Sequence, residues 1–150
     1  MPIKAVEVNM GFLSSMDISG SALTAQRLRM DVISENLANA DTTETDTGGP
    51  YRRKVCVFAE RNANSFSNEF NKAIGGGVKV TQIIEDQSDF EVEYDPTSPL
   101  ADADGYVRRP NVDEVEEMID LMSATRSYEA NVTALDATKS MAVKALEIGN

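Results

Sequence analysis

The stretch "SENLANADTTETDTGGPYRRK", residues 34–54, decides the fold. It leaves an apolar-striped helix, passes Asn36 and Asn39 set three apart, and runs through threonines and a Gly-Gly-Pro breaker into Arg52, Arg53 and Lys54. A helix ending there separates a helical first part from a differently patterned middle. Upstream, between Ser14 and Ala40, Met16, Leu23, Met30 and Leu37 recur every seven residues, with Ile33 and Ala40 at the companion spacing, which is a heptad seam. Ser19 and Gln26 are polar companions, so the seam is incomplete toward its start, and Gly20 weakens it by about 1 kcal/mol relative to alanine. Such a helix needs a partner to bury its stripe. Asn36 and Asn39 flank the seam at the end where backbone carbonyls lack partners. Their amides donate and accept, so they can cap that backbone, bond a neighbouring copy, or do both.

The last third supplies the partner. Met118, Leu121, Thr125, Tyr128, Val132, Leu135, Lys139, Ala142 and Leu146 follow one another at steps of three and four. Val115, Ile119 and Met122 widen this into a second apolar stripe, so the helix is expected to bury more than one neighbour. Its start reads as Asn111 at the N-cap with Glu114 three residues on, and Asp113, Glu116 and Glu117 lie near the positive helix end. Lys144 and Gly149 mark its end. From Val112 to Ile148 the rise of 1.5 Å per residue gives a rod of roughly 55 Å.

Between the helices the period shifts to two. In "FEVEYDP", Phe90, Val92 and Tyr94 alternate with acidic residues, while "YRRKVCVF", "VKVTQII" and a short piece from Tyr106 to Arg108 are further strands. Residues 59–77, polar and closing on three glycines, read as a mobile loop or short helix. The expected fold is α+β, with long N- and C-terminal helices paired as a coiled coil and a small, mostly antiparallel β domain between them. The corresponding segments are 1–45, 46–110 and 111–150.

Composition removes most chemistry. The 150 residues include no histidine, so mechanisms needing an imidazole base or ligand are excluded. The single cysteine, Cys56, can make neither an internal disulfide nor a multi-cysteine metal site, and in "KVCVF" it reads as a small buried apolar side chain. Net charge is −11, and residues 76–150 carry 6 basic against 16 acidic groups, a surface that repels nucleic acid and anionic membranes. No run approaches the roughly 20 apolar residues of a membrane span, and no cleavable secretory signal opens the chain. Asp102, Asp104 and Gly105 suggest a calcium loop, but that frame puts Leu100 first and Asn111 twelfth, so a turn into the Tyr106 strand is the better account. The glycines of "GGGVKV" lack a phosphate-loop Lys-Ser/Thr and indicate flexibility. Catalytic residues, cofactors and metals are all expected to be absent.

"MDISGSALTAQRLRMDVISENLANADTT", "GPYRRK" and the segment from "YDPTSPLADADGYVRRPNV" through "MSATRSYEANV" to "ALEIG" together resemble the bacterial flagellar basal-body rod proteins, in particular a proximal rod member. The resemblance covers nearly the whole chain from Met10 onward; residues 1–9 precede the usual family start, and Met10 is a second candidate initiator. It implies a structural subunit of the rod in the periplasmic space. Such a subunit is carried unfolded through the flagellar type III export apparatus, without a cleavable signal, and assembled helically with its own copies and other rod proteins to transmit torque. Neither nucleic acid nor direct membrane insertion is implied. Ser98 stands where similar proteins often carry histidine, so imidazole chemistry is not required there. Two other classes fit part of the sequence: a coiled-coil adaptor or export-chaperone-like protein, which does not require the β insert, and a hydrolase using the carboxylates between Glu85 and Asp104, for which no convergent pocket is visible.

Overall fold

The computed structural model describes residues 3–46, 48–61 and 76–148, with side chains from residue 13 onward. Two long helices enclose four strands: α1 (Ile3–Ala38), β1 (Lys54–Glu60), β2 (Val78–Glu85), β3 (Glu91–Tyr94), β4 (Tyr106–Arg109) and α2 (Glu114–Ile148). The strands make two two-stranded sheets, β1 with β2 and β3 with β4. The Arg61 N–H donates to the Gly77 carbonyl at one end of β1–β2, and the Asp86 N–H donates to the Arg53 carbonyl at the other, as antiparallel pairing requires. In β3–β4, Val92 faces Arg108 and Tyr94 faces Tyr106. This is an α+β chain.

Two compact units share these elements. One comprises residues 1–28, 58–81 and 124–150; the other comprises 29–57 and 82–123. Within the first, Ser21 on α1 anchors the start of β2: its hydroxyl donates to the Ile18 carbonyl at 2.7 Å and accepts the Val78 N–H at 3.1 Å. Gly77 lies against it at φ +80°, where a Cβ would fall 2.3 Å from Ser21 Oγ. At Gly76, a Cβ would come 2.0 Å from the Arg61 carbonyl oxygen. These glycines therefore permit close approach, beyond the flexibility that their sequence suggests. The expected loop begins later than residue 59, since Ala59 and Glu60 belong to β1, and its bulk at residues 62–75 lies outside the described residues.

In the second unit, α1 stops where Asn39 satisfies its last turn. The Asn39 N–H and its side-chain amide both donate to the Glu35 carbonyl, the latter at 2.8 Å, and the Thr42 hydroxyl donates to Asn39 Oδ1. Helix α2 starts two residues later than expected. Asp113, rather than Asn111, is its N-cap, accepting the N–H groups of Val115 at 2.8 Å and Glu116 at 3.0 Å. Asn111 accepts the Arg53 N–H at 2.9 Å and donates to the Ser88 hydroxyl at 2.8 Å, tying β1 to the β2–β3 connection. Between β3 and β4, Asp102 Oδ1 accepts the N–H groups of Asp104 and Tyr106, with Gly105 at φ +84° completing a turn.

The shielded faces of both helices differ in detail from the apolar seams in the sequence. On α1, Ser19, Ala25, Val32, Ile33 and Asn36 are buried, while Met16, Leu23, Met30 and Leu37 are half-buried. On α2, Leu121, Tyr128, Leu135 and Ala142 are half-buried. The companion row is Glu117, Ala124, Asn131 and Thr138, one residue before the expected Met118, Thr125, Val132 and Lys139, all of which are exposed. The residues of the shielded row are small or internally hydrogen-bonded. Asn131 donates to the Ser127 carbonyl and Thr138 to the Ala134 carbonyl, so close neighbours leave few polar groups unpaired.

Candidate functional site

Asn36 is the centre of the second unit. It is 1% exposed, and all four hydrogen-bonding positions of its amide are used. Oδ1 accepts the Lys54 N–H at 2.9 Å and the Tyr51 hydroxyl at 3.0 Å, while Nδ2 donates to the Lys54 carbonyl at 2.9 Å and to Glu117 Oε2 at 3.1 Å. The amide thus pairs with both backbone groups of Lys54, as a neighbouring strand residue would. The sequence placed Asn36 beside the seam; the structure puts it in the shielded face, with no donor or acceptor left over for a second molecule. Asn39 keeps the local capping role.

Glu117, also 1% exposed, closes the cluster from α2. Its Oε1 accepts Arg53 Nε, and Asp86 and Asp120 flank the same guanidinium at 3.8 and 3.6 Å. Burial works against the charge on Arg53, but the Glu117 hydrogen bond and the Glu117, Glu116 and Asp120 carboxylates outweigh it and raise its pKa. A further bond joins the helices, from Arg29 to Asp120 at 3.0 Å. With Arg29 and Asn36 of α1 meeting Asp120 and Glu117 of α2, the two helix segments run antiparallel in this unit. Burial, then the charges of Glu35, Glu117 and Glu85, push the Tyr51 phenol up to about 12. Lys54 pairs with Glu35. Arg52 is committed too: it donates to the Asp86 carbonyl and covers the Phe90 ring at 4.2 Å.

Outside this buried support the same unit exposes apolar surface. On α2, Val115, Met118, Ile119 and Met122 are 50–67% exposed, forming a stripe one helical face wide and roughly opposite Glu117. On the β3–β4 hairpin, Val92 and Tyr94 are each 63% exposed, and Tyr106 stacks edge-on against Tyr94 at 5.2 Å. The other side of that hairpin carries Val107, which is buried. Farther along α2, in the first unit, Val132, Met141, Val143, Leu146 and Ile148 are exposed as well. Contiguous apolar patches of this kind mark contact surfaces.

Little else in the chain suits chemistry. Burial pushes the Cys56 thiol up, against the opposing charge of Arg29, which keeps it in its unreactive form. Among the described residues no group of three or more His, Cys, Asp or Glu side chains is placed to hold a metal ion. Nor is any described helix long and apolar enough to cross a membrane.

A rigid polar cluster locking helices to sheet, under exposed apolar helical faces, defines a structural protein built for contact with other proteins. The comparisons agree. Residues 16–44 match the family model described as "Flagella basal body rod protein", and residues 103–148 match "Flagellar basal body rod FlgEFG protein C-terminal". Flagellar basal-body rod protein FlgC of Bacillus subtilis (strain 168) is 57% identical over 145 residues, covering 90% of this chain and 96% of the relative. FlgC of Escherichia coli O157:H7 is 49% identical over 140 residues, with 93% and 99% covered, and that of Borreliella burgdorferi is 46% identical over 149 residues, with 93% and 98% covered. The chain therefore belongs to the flagellar basal-body rod protein family and is similar to its FlgC members. It is a structural component of the flagellar basal body and not an enzyme.

Proposed function

We propose that this chain assembles helically, with its own copies and with other rod proteins, into the proximal rod that transmits torque, after passing unfolded through the flagellar type III export apparatus. The carrying observation is the exposed apolar surface of α2, present on a helix whose opposite face is already occupied within the chain. In this reading the terminal helices pair as a coiled coil, and Met118, Val132 and Leu146 contact neighbouring subunits, while Leu121, Tyr128 and Leu135 on α2 and Met16, Leu23, Met30, Ile33 and Leu37 on α1 serve the intrachain side. Asn36 and Asn39 then act indirectly, by fixing the end of α1. The rod would lie in the periplasmic space. Many moderate interfaces, apolar at their centres and polar at their rims, suit a structure loaded in torsion.

Deleting the gene and restoring it in trans tests this reading. Deletion is expected to abolish motility and leave basal bodies without the proximal rod in cryo-electron maps, and complementation is expected to restore both. Motile deletion cells with complete rods would overturn it.

A further inference from the structure

We infer that the β3–β4 hairpin of one copy docks on the Val115–Met122 stripe of a second copy. The inference rests on the assembly proposed above and adds the two surfaces that meet. The hairpin presents Val92, Tyr94, Tyr106 and Arg108 on one side, because residues opposite one another in an antiparallel pair share a face. All four are exposed. Both surfaces are thus apolar and uncovered within the chain.

Charge selects a second copy as the occupant. In this unit Arg29, Arg53, Lys54 and Arg109 each pair with carboxylates, and Arg52 is held by Phe90 and the Asp86 carbonyl. Among the described residues Arg108 is the unit's cation without such a partner. The α2 stripe is bordered by Glu114 on one side and Glu116 on the other, neither of them in an ion pair among the described residues. An apolar surface carrying an unpaired cation thus matches an apolar surface bordered by two carboxylates outside any ion pair, Glu114 and Glu116, the latter acting on Arg53 only at longer range. For a molecule of net charge −11, such local pairing also offsets the general repulsion between copies. The two surfaces are different, so the contact is head-to-tail and propagates.

Two chains lacking Cys56, C56S/Tyr94→Cys and C56S/Met118→Cys, co-expressed in a deletion strain, test the contact in assembled basal bodies. Mild oxidation is expected to give a disulfide-linked pair at least ten-fold above either chain expressed alone; its absence from motile cells would overturn the docking. Charge reversal supplies an independent reading. Arg108→Glu and the double variant Glu114→Lys/Glu116→Lys should each reduce swimming several-fold, and co-expressing them should recover it. Val92→Ser, at a 63% exposed position, should reduce swimming without altering circular dichroism, which separates lost docking from lost folding. If Arg108→Glu and Val92→Ser swim normally while deletion abolishes motility, the docking is wrong and the rod assignment stands. If deletion itself leaves motility intact, the rod assignment falls.

Discussion

The side-chain amide of Asn36 lies 2.9 Å from both the N–H and the carbonyl of Lys54, so the last turn of α1 acts as a one-residue strand beside the first residue of β1. Helix end and sheet start are consequently fixed together. Asn36→Ala leaves four partners without their bonds, including Glu117 Oε2 and both Lys54 backbone groups. At about 1 kcal/mol for each of the four groups left unsatisfied, two of them in part-buried bonds, the loss is on the order of 3–4 kcal/mol. Urea denaturation should show it as a lower midpoint with an unchanged slope. Asn36→Asp should be worse still, because it sets a second carboxylate against Glu117; equal stability of the Ala and Asp variants would contradict the geometry.

Glu117 should behave as part of the same unit. Glu117→Gln keeps the shape but removes the charge facing Arg53. Breaking one member of a buried pair costs roughly 3–5 kcal/mol, less here because the Arg53 side chain retains 19% exposure and has Asp86 and Asp120 nearby. Combined with Asn36→Ala, the two losses should fall short of their sum by about 1 kcal/mol, since Asn36→Ala removes the Asn36–Glu117 bond that Glu117→Gln already weakens by removing the charge on its acceptor. Strict additivity in a double-mutant cycle would show that the two side chains are not coupled.

How much of this was legible beforehand differs from residue to residue. The α+β order, the four strand segments, the C-terminal end of α1 and both ends of α2 to within a few residues follow from periodicity, because alternation and heptad spacing report which side of an element is apolar; the start of α1 at Ile3, well before the Ser14 seam, and the division of the strands into two two-stranded sheets do not. What periodicity does not report is which polar residue will be buried. Asn36 and Glu117 look like surface residues; only the meeting of α1, α2 and β1 gives each enough partners to be shielded. The same blindness explains the one-residue offset on α2. Sequence reading assigns large apolar side chains such as Met118 and Val132 to the intrachain face, yet close packing favours Ala124 and Thr138 there, and the larger residues remain outside. A protein that assembles carries apolar surface for its neighbours, and a single sequence does not distinguish that surface from its core.

Tyr51 gives the network a signature in alkaline solution. Its folded-state pKa is raised to about 12, above the ordinary value of 10.0. The folded chain therefore holds a proton that the unfolded chain has released, so this contribution to stability is complete below pH 10 and is lost as pH rises from 10 toward 12. Ultraviolet difference titration of the protein against Tyr51→Phe should isolate a single phenol ionising near the top of that window. A difference step centred at pH 10 would mean that the hydroxyl is neither buried nor bonded to Asn36 as described.

The glycines of the first unit should respond in opposite directions to the same change. Gly20 lies inside α1 with nothing within 4 Å of an added Cβ, so Gly20→Ala removes backbone entropy from the unfolded chain and improves helix propensity at no steric cost. A gain of about 0.5–1 kcal/mol is expected, or roughly 2–4 °C in melting temperature for a chain of this size. Gly77→Ala meets Ser21 Oγ at 2.3 Å and also strains a φ of +80°. It should destabilise by about 1–3 kcal/mol, and displacing Ser21 should release the Val78 N–H bond that anchors β2 to α1. Hydrogen exchange at Val78 would therefore quicken in Gly77→Ala and stay slow in Gly20→Ala. If both variants instead moved the melting temperature the same way, the close approach of β2 to α1 at Ser21 would be wrong.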